Sequence, residues 1–281
     1  MNKLKLIIVI VLLILFILWQ NNGIVLTEHT YISSKLPEGF DGYKIVQISD
    51  LHNKNYYGRL SKQIEKIKPD IIVITGDLID RRNPDLDIAL KLVEQISNIA
   101  PVYYVSGNHE QLSGKYDILK EELEKLNVKI IDNSYIVLER NKSRIGLMGL
   151  ADPTIRQKEY AYLWADSSYY IVDNLNRLFL NADTNFNILL SHRPEYFHIY
   201  TKLGVDLVFS GHAHGGQIRI PFIGGLVAPN QGFFPKYTEG IYSEGSTSMV
   251  VSRGLGNSII PLRVFNRPEL VTVVLRKQSQ I

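Results

Sequence analysis

Five short polar segments, each at the end of an apolar run, constrain the fold of this 281-residue chain more than any other feature. Between them they carry five of its seven histidines. The segments are Ser49-Asp50-Leu51-His52, Gly76-Asp77-Leu78-Ile79-Asp80, Gly107-Asn108-His109-Glu110, Ser191-His192 and Gly211-His212-Ala213-His214. Loops that follow the strands of an α/β sheet gather at one edge, so we expect these segments to converge. Imidazole nitrogens and carboxylate oxygens gathered this way suit two neighbouring divalent transition metals.

The apolar runs predict the fold class. Strands are expected at 45–48, 71–75, 102–105, 135–138, 145–149, 188–190, 207–210 and 270–275, and helices at 58–68, 86–99, 116–126, 169–180 and after Pro194. Continuous Ile/Val runs separated by helices indicate a sheet that is buried on both faces. The runs at 135–138 and 145–149 predict adjacent antiparallel strands. We therefore expect one α/β domain with two sheets, covering residues 27–281.

The N-terminal segment indicates a membrane association. Leu6 to Trp19 is unbroken apolar sequence preceded by Lys3 and Lys5. As a helix it spans about 21 Å, less than the ~30 Å hydrocarbon core, unless the lysines snorkel and residues 24–26 extend it. A cleaved signal peptide is the alternative, but no small-x-small cleavage site follows the run. We predict an uncleaved single-pass anchor over residues 1–26 in the cell membrane, and the positive-inside rule places the remainder outside the cytoplasm.

Composition excludes several classes of site. Cysteine is absent, which removes disulfides, thiolate zinc sites and a cysteine nucleophile. The formal net charge is +3, and two of the 31 basic residues belong to the N-terminal segment. Because the rest of the chain is nearly neutral, no nucleic-acid binding is expected.

The five segments, in the order DxH, GDxxD, GNHE, a lone histidine and GHxH, resemble the calcineurin-like metallophosphoesterases. The tail, Gly211-His212-Ala213-His214-Gly215-Gly216-Gln217 and Val251-Ser252-Arg253-Gly254-Leu255-Gly256, further resembles a subgroup of small bacterial, membrane-linked phosphodiesterases. The resemblance implies a sandwich of two mixed β-sheets flanked by helices. It also implies that residues 27–281 form a catalytic domain.

The family resemblance assigns roles residue by residue. It implies that Asp50, His52 and His214 bind one metal, that Asn108, His192 and His212 bind a second, and that Asp77 bridges them. His109 would be the general acid, and Asp80 would orient it. Arg81 is a candidate for contacting the substrate phosphate. Glu110 is expected to support its loop, and Asn53, Asp132 and Asp152 are expected to be turn residues.

The predicted activity is hydrolysis of phosphate esters by a hydroxide that bridges two divalent metals. Manganese, iron, zinc and nickel all suit the ligand set, and manganese is favoured. A phosphodiesterase acting on lipid or cell-wall substrates is the leading interpretation. A broad phosphomonoesterase or protein phosphatase is an alternative, and a non-catalytic scaffold is a further one. The apolar segment 218–227 has two interpretations, a lipid-facing groove or a strand and turn of the core.

Overall fold

The computed structural model describes residues 3–156, 166–258 and 261–279. Its seven described α-helices are α1 (Lys3–Asn22), α2 (Arg59–Ile67), α3 (Leu86–Ser97), α4 (Asn108–Leu112), α5 (Tyr116–Lys125), α6 (Ser168–Leu180) and α7 (Phe197–Lys202). The described strands are β1 (Val25–Ser33), β2 (Lys44–Ile48), β3 (Ile71–Thr75), β4 (Val102–Val105), β5 (Lys129–Ile130), β6 (Ser134–Arg140), β7 (Ser143–Leu150), β8 (Asn187–Ser191), β9 (Leu207–Ser210), β10 (Arg219–Ile220), β11 (Gly224–Gly225), β12 (Val227–Ala228), β13 (Gly232–Phe233), β14 (Gly240–Glu244), β15 (Thr247–Val251) and β16 (Glu269–Lys277).

Two mixed six-stranded sheets form the sandwich that the sequence predicts. The first has the order β1-β16-β2-β3-β4-β5, and the second has the order β14-β15-β9-β8-β7-β6. In the first sheet β2, β3 and β4 are parallel, whereas β16 is antiparallel to β2. In the second sheet β7, β8 and β9 are parallel, and β6 joins β7 through a tight antiparallel hairpin. Asn141 and Lys142 both have positive φ at this turn, as a two-residue hairpin loop favours.

Three apolar layers hold the sandwich together. The middle layer lies between the sheets and includes Val73, Leu147 and Val271. A second layer packs α2, α3 and α5 on the outer face of the first sheet, and a third packs α6 and α7 on the second sheet. Burial of both faces explains why the central strands are continuous Ile/Val/Leu runs.

The start of the domain differs from the sequence-based expectation. Val25 and Leu26, which were assigned to the extension of the membrane anchor, lie in β1 and pair with β16. The helix ends at Asn22. The prediction was wrong at this point because an apolar run does not by itself distinguish a helix extension from a strand. Within the described residues, α1 is the one helix that is long and apolar enough to cross a membrane.

Candidate metal centre

The five polar segments follow the carboxyl ends of β2, β3, β4, β8 and β9, so both sheets contribute to one rim. The buried side chain of Gln47 joins the sheets just beneath this rim. Its amide nitrogen donates to the Thr75 hydroxyl at 3.0 Å and to the Ser210 carbonyl at 2.9 Å. The loops after the two sheets are thereby held in register with one another.

One group of donor atoms that could hold a metal consists of Asp50, His52, Asp77 and His214, all of them buried. The Nε2 atoms of His52 and His214 lie 3.1 Å apart. Asp50 Oδ1 lies 3.3 Å from His214 Nε2, and Asp77 Oδ2 lies 3.5 Å from His52 Nε2. Four donors therefore point into one small space.

A second group that could hold a metal consists of Asp77, His192 and His212. His192 Nε2 lies 3.3 Å from Asp77 Oδ2 and 3.1 Å from His212 Nδ1. The side-chain oxygen of Asn108 lies 3.2 Å from the same His192 nitrogen. Asp77 Oδ2 thus borders both groups, whereas its Oδ1 accepts a hydrogen bond from the His109 backbone amide at 2.8 Å.

Carbonyl oxygens outside the cluster select the tautomers of two histidines. His192 Nδ1 donates to the Thr75 carbonyl at 2.7 Å, and His212 Nε2 donates to Asn230 Oδ1 at 2.9 Å. The opposite ring nitrogen of each histidine then faces the cluster. Asn230 was not identified from the sequence. Its oxygen also accepts from Arg193 Nη1 at 2.7 Å, and the same Nη1 lies 3.2 Å from His212 Nε2.

The electrostatics of the cluster suit cations. Burial lowers the pKa values of His52 and His214 well below the ordinary value, so both rings are neutral and can act as ligands. Burial raises the pKa of Asp50 to about 6. Burial opposes protonation of His192, yet the adjacent Asp77 carboxylate raises the pKa of His192 to about 10. A proton there balances the Asp77 charge, and a divalent cation at the same position would replace it.

The backbone is in the left-handed region at five of the predicted metal ligands. These residues are Asp50, His52, Asp77, His212 and His214. Left-handed φ values at non-glycine residues cost free energy and concentrate at functional sites. The loops adopt these conformations because each turns sharply at a strand end and directs its side chain inward.

Glu110 supports the Asp77 loop, as the sequence indicated. Its carboxylate accepts hydrogen bonds from the backbone amides of Asp77 at 2.8 Å, Gly107 at 2.8 Å and Ile79 at 3.2 Å. Burial raises the pKa of Glu110 to about 8, whereas the three amide donors favour its ionised form. The loops approach so closely that a Cβ added at Gly107 would lie 2.2 Å from Asp77 Oδ1.

His109 lies beside the first group, with its ring centroid 4.3 Å from that of His52. The Arg81 backbone amide donates to His109 Nδ1 at 3.1 Å, which leaves the ring proton on Nε2. Asp80 Oδ2 lies 3.9 Å from His109 Nδ1 and 4.0 Å from His52 Nδ1, so it makes charge contacts with both rings and a hydrogen bond with neither. Arg82 binds the Asp80 carboxylate at 2.8 Å through Nη2. The orientation of His109 therefore comes from the backbone of Arg81.

Arg193 and Asp152 form a buried ion pair beside His212. Arg193 Nε donates to Asp152 Oδ2 at 2.6 Å, and both side chains are almost fully buried. Asp152 is thus more than a turn residue, because it neutralises the guanidinium that positions Asn230. Arg193 directly follows a predicted ligand, yet no spacing in the sequence marks its partner 41 residues earlier.

The other residues considered from the sequence have structural surroundings. Asn53 accepts from the backbone amides of Asp80 and Asp85, and Asp132 accepts from Ser106 and Tyr116. His198 is exposed on α7. Phe222 and Ile223, in the apolar segment 218–227, are also exposed, so these two residues do not belong to the core.

Comparisons with known proteins agree with this geometry. The sequence model of the family described as "Calcineurin-like phosphoesterase" matches residues 43–216. The uncharacterized metallophosphoesterase YkuE of Bacillus subtilis is 35% identical over 263 residues, which cover 90% of this chain and 86% of the relative. Phosphodiesterase YaeI of Escherichia coli is 26% identical over 245 residues, which cover 83% of this chain and 82% of the relative. The crystal structure of TT1561 of Thermus thermophilus shares the fold, with a TM-score of 0.51 and 13% identity over 75% of this chain and 89% of that one.

Proposed function

The chain belongs to the calcineurin-like phosphoesterases, and from that premise we propose that it is a membrane-anchored phosphodiesterase. Membership makes it a metal-dependent hydrolase of phosphate esters, and groups of histidine and aspartate are present that could hold the metals. The preference for diesters, the individual ligands and the membrane location are the proposed part.

The proposed ligands are Asp50, His52 and His214 for one metal and Asn108, His192 and His212 for the other, with Asp77 shared. The observation that carries this assignment is the position of Asp77 Oδ2, which lies 3.5 Å from His52 Nε2 and 3.3 Å from His192 Nε2. The mixed nitrogen and oxygen donor set fits manganese, iron, zinc or nickel, and manganese is our preferred assignment. Two such cations supply charge neutralisation for phosphate oxygens and activation of a water molecule.

The remaining steps fall to residues of the chain itself. His109 is the proposed general acid, and it directs its Nε2–H at the leaving oxygen because its Nδ1 accepts a hydrogen bond from the Arg81 amide. The Asp80 carboxylate lies 3.9 Å from His109 Nδ1 and favours the protonated form of that ring. Arg81, beside Asp80 on the same loop, contributes its guanidinium to binding of the substrate phosphate.

The relatives and the N-terminal helix support the choice of substrate. The name of Escherichia coli YaeI is that of a phosphodiesterase, and the similarity covers most of both chains. Helix α1 begins with Lys3 and Lys5 in its first turn and is long and apolar enough to anchor the domain in a membrane. We therefore place the catalytic domain outside the cytoplasm, where lipids and cell-wall polymers offer phosphodiester groups.

The test compares hydrolysis of bis-p-nitrophenyl phosphate with that of p-nitrophenyl phosphate by the full chain supplied with Mn²⁺. The proposal predicts faster diester than monoester turnover, and a His109→Ala variant slower by about 10²–10⁴-fold. His198→Ala, at an exposed histidine outside the cluster, is the matched control and should keep full activity. A monoester rate well above the diester rate would replace the phosphodiesterase assignment with that of a phosphomonoesterase.

A further inference from the structure

The polar end of α1 is buried in the catalytic domain, although the rest of this helix is exposed and apolar. Gln20 and Asn21 are its two buried residues. The Asn21 side chain accepts from the Arg263 backbone amide at 2.9 Å and donates to the Arg263 carbonyl at 3.3 Å. Lys54 Nζ donates to the Asn21 carbonyl at 3.1 Å. The helix therefore ends in a specific docking contact with the domain.

The contacts of α1 lead directly to the rim of the metal centre. Lys54 is two residues beyond His52, and Asn266 is three residues beyond Arg263. The Asn266 amide donates to the carbonyl of His214 at 2.7 Å and to that of Gln217 at 2.8 Å. The loop that carries His52 thus contacts the end of α1 directly, and the segment that binds Asn21 also contacts the His214 loop. The rim therefore lies at the level where the helix leaves the domain.

Three large apolar side chains project beside the same end of α1. Phe222 is fully exposed, Ile223 is 66% exposed and Phe265 is 52% exposed. Phe222 and Phe265 also have positive φ, a conformation that bulky residues rarely adopt. The segment that carries Phe222 and the segment that carries Phe265 are paired, since the Arg219 backbone amide donates to the Val264 carbonyl at 3.0 Å. An open hollow of about 320 Å³ lies between Phe265 and residues 219–224.

This patch is continuous with the apolar surface of the helix. The ring of Phe265 meets the ring of Phe16 edge to face, with centroids 5.7 Å apart. Trp19, one turn further along α1, carries the Arg267 guanidinium over its ring at 4.4 Å. Tryptophan and arginine near the end of an apolar helix are typical of the lipid–water boundary. An exposed apolar patch that continues the surface of such a helix is expected to contact the same lipid as the helix.

We propose that Phe222, Ile223 and Phe265 enter the bilayer beside α1 as a second membrane contact, and that the metal centre consequently opens towards the lipid headgroups. The substrate is then an amphiphile whose phosphodiester lies at the membrane surface. This inference rests on the proposed phosphodiesterase activity and on the proposed anchoring of α1. It adds an orientation of the site and a class of substrate to both.

Site-specific fluorescence tests the orientation without any need for activity. The chain has no cysteine, so Phe222→Cys in the full chain provides a single site for an NBD label. The matched control is Leu180→Cys, because Leu180 is 85% exposed and apolar but ends α6 near the start of β8, opposite the metal centre. The protein is reconstituted in phosphatidylcholine vesicles that contain phosphatidylglycerol.

We expect lipids with doxyl-labelled acyl chains to quench the label at residue 222, and iodide in the water to quench the label at residue 180. Equal quenching of both labels by iodide would overturn the inference, whatever the enzyme hydrolyses.

The substrate class is tested with Phe222→Ser/Ile223→Ser. This variant should hydrolyse soluble bis-p-nitrophenyl phosphate at the normal rate and a fluorescent phosphodiester lipid in the same vesicles about tenfold more slowly. Equal losses on both substrates, or a loss on neither, would contradict presentation by the membrane. A wild-type chain that hydrolyses neither diester would instead refute the phosphodiesterase proposal, and the quenching result would still decide the orientation.

Discussion

At the scale of single residues, the centre depends on side chains that make different contacts with each of their polar atoms. Asp77 directs Oδ2 towards His52 and His192, while Oδ1 accepts the His109 amide. His192 and His212 each use one ring nitrogen for an oxygen acceptor and the other for the cluster. Such contacts restrict rotation before any cation binds, so little conformational entropy remains to be lost at the site.

Glu110→Gln should destabilise the fold while every predicted ligand side chain stays unchanged. The amide group of glutamine cannot accept from all three backbone N–H groups that Glu110 now satisfies, so at least one buried donor loses its partner. The expected loss is about 1–3 kcal/mol in the free energy of unfolding, measured by urea denaturation of the metal-free protein. Glu94→Gln, at an exposed position on α3, is the control. Unchanged stability of the Glu110 variant would show that these hydrogen bonds are not needed.

Asn230→Ala should weaken metal binding at the His192–His212 side of the cluster. Without the Asn230 oxygen, His212 loses the acceptor that holds its proton on Nε2. Arg193 Nη1, already 3.2 Å from that nitrogen, loses its own acceptor and donates to His212 instead. The expected fall in metal affinity is about 10- to 100-fold, measured by competition with a chelator. Asn181→Ala on the surface is the matched variant. An identical metal affinity in both variants would show that Asn230 does not help His212 to bind metal.

The sequence identifies residues that share a motif and misses those that depend on tertiary contact. Every predicted ligand lies in the cluster, because each motif is local and each follows a strand end. Asn230 and Arg193 were missed, since their partners lie 18 and 41 residues away and no spacing relates them. Asp80 was expected to orient His109, yet the Arg81 amide makes the hydrogen bond, a contact that side-chain chemistry cannot indicate.

At the scale of elements, the alternating apolar runs predicted the central strands and the helices that cover them. The prediction failed at the sheet edges. Residues 25–33 form β1, which pairs with β16, and β16 itself lies between β1 and β2. That insertion joins the two ends of the chain through pairing over more than two hundred residues, and the hydrophobic period carries no information about pairing partners. Strands β14 and β15 were likewise not predicted.

The connection after β8 provides a stability test with a defined pH dependence. Burial alone would raise the pKa of Asp152, but Arg193 holds it below the ordinary value. A carboxylate with a depressed folded-state pKa contributes stability at pH values above its unfolded pKa, and this contribution is lost as the pH falls through the folded-state pKa. Asp152→Asn should therefore cost about 3–5 kcal/mol at pH 7, because Arg193 loses its buried partner, and progressively less below about pH 4.

The measurement is urea denaturation of the metal-free protein between pH 3 and pH 7. Asp173→Asn, which removes a surface pair with Arg177, is the control and should change little at any pH. A constant difference between wild type and Asp152→Asn across that range would contradict the assignment of Asp152 as the ionised partner.

At the scale of the whole molecule, α1 and the catalytic rim form one unit. The last turn of the helix is hydrogen-bonded to Lys54, in the loop that carries His52, and to Arg263, whose segment contacts the His214 loop through Asn266. The contact between α1 and the domain was not predicted from the sequence, because residues 1–26 were interpreted as an anchor separate from the domain. The lysines in the first turn of the helix favour an extracytoplasmic domain.

This topology predicts the accessibility of single cysteines in intact bacterial cells. Leu180→Cys should react with a membrane-impermeant maleimide in intact cells, because we propose that the domain lies outside the cytoplasm. Lys3→Cys, at the opposite end of α1, should react only after permeabilisation. The reverse pattern would place the catalytic domain in the cytoplasm.

Metal content tests the central claim, the shared site at Asp77, most directly. The full chain is purified in detergent, saturated with Mn²⁺, desalted and analysed for metals, together with Asp77→Asn and the control His198→Ala. A metal pair that shares Asp77 predicts about two metal ions per chain in the wild type and the control, and at most one in Asp77→Asn, since both groups lose the charge of their common carboxylate. A wild type that retains no metal, or an Asp77→Asn variant that still retains two, would contradict it.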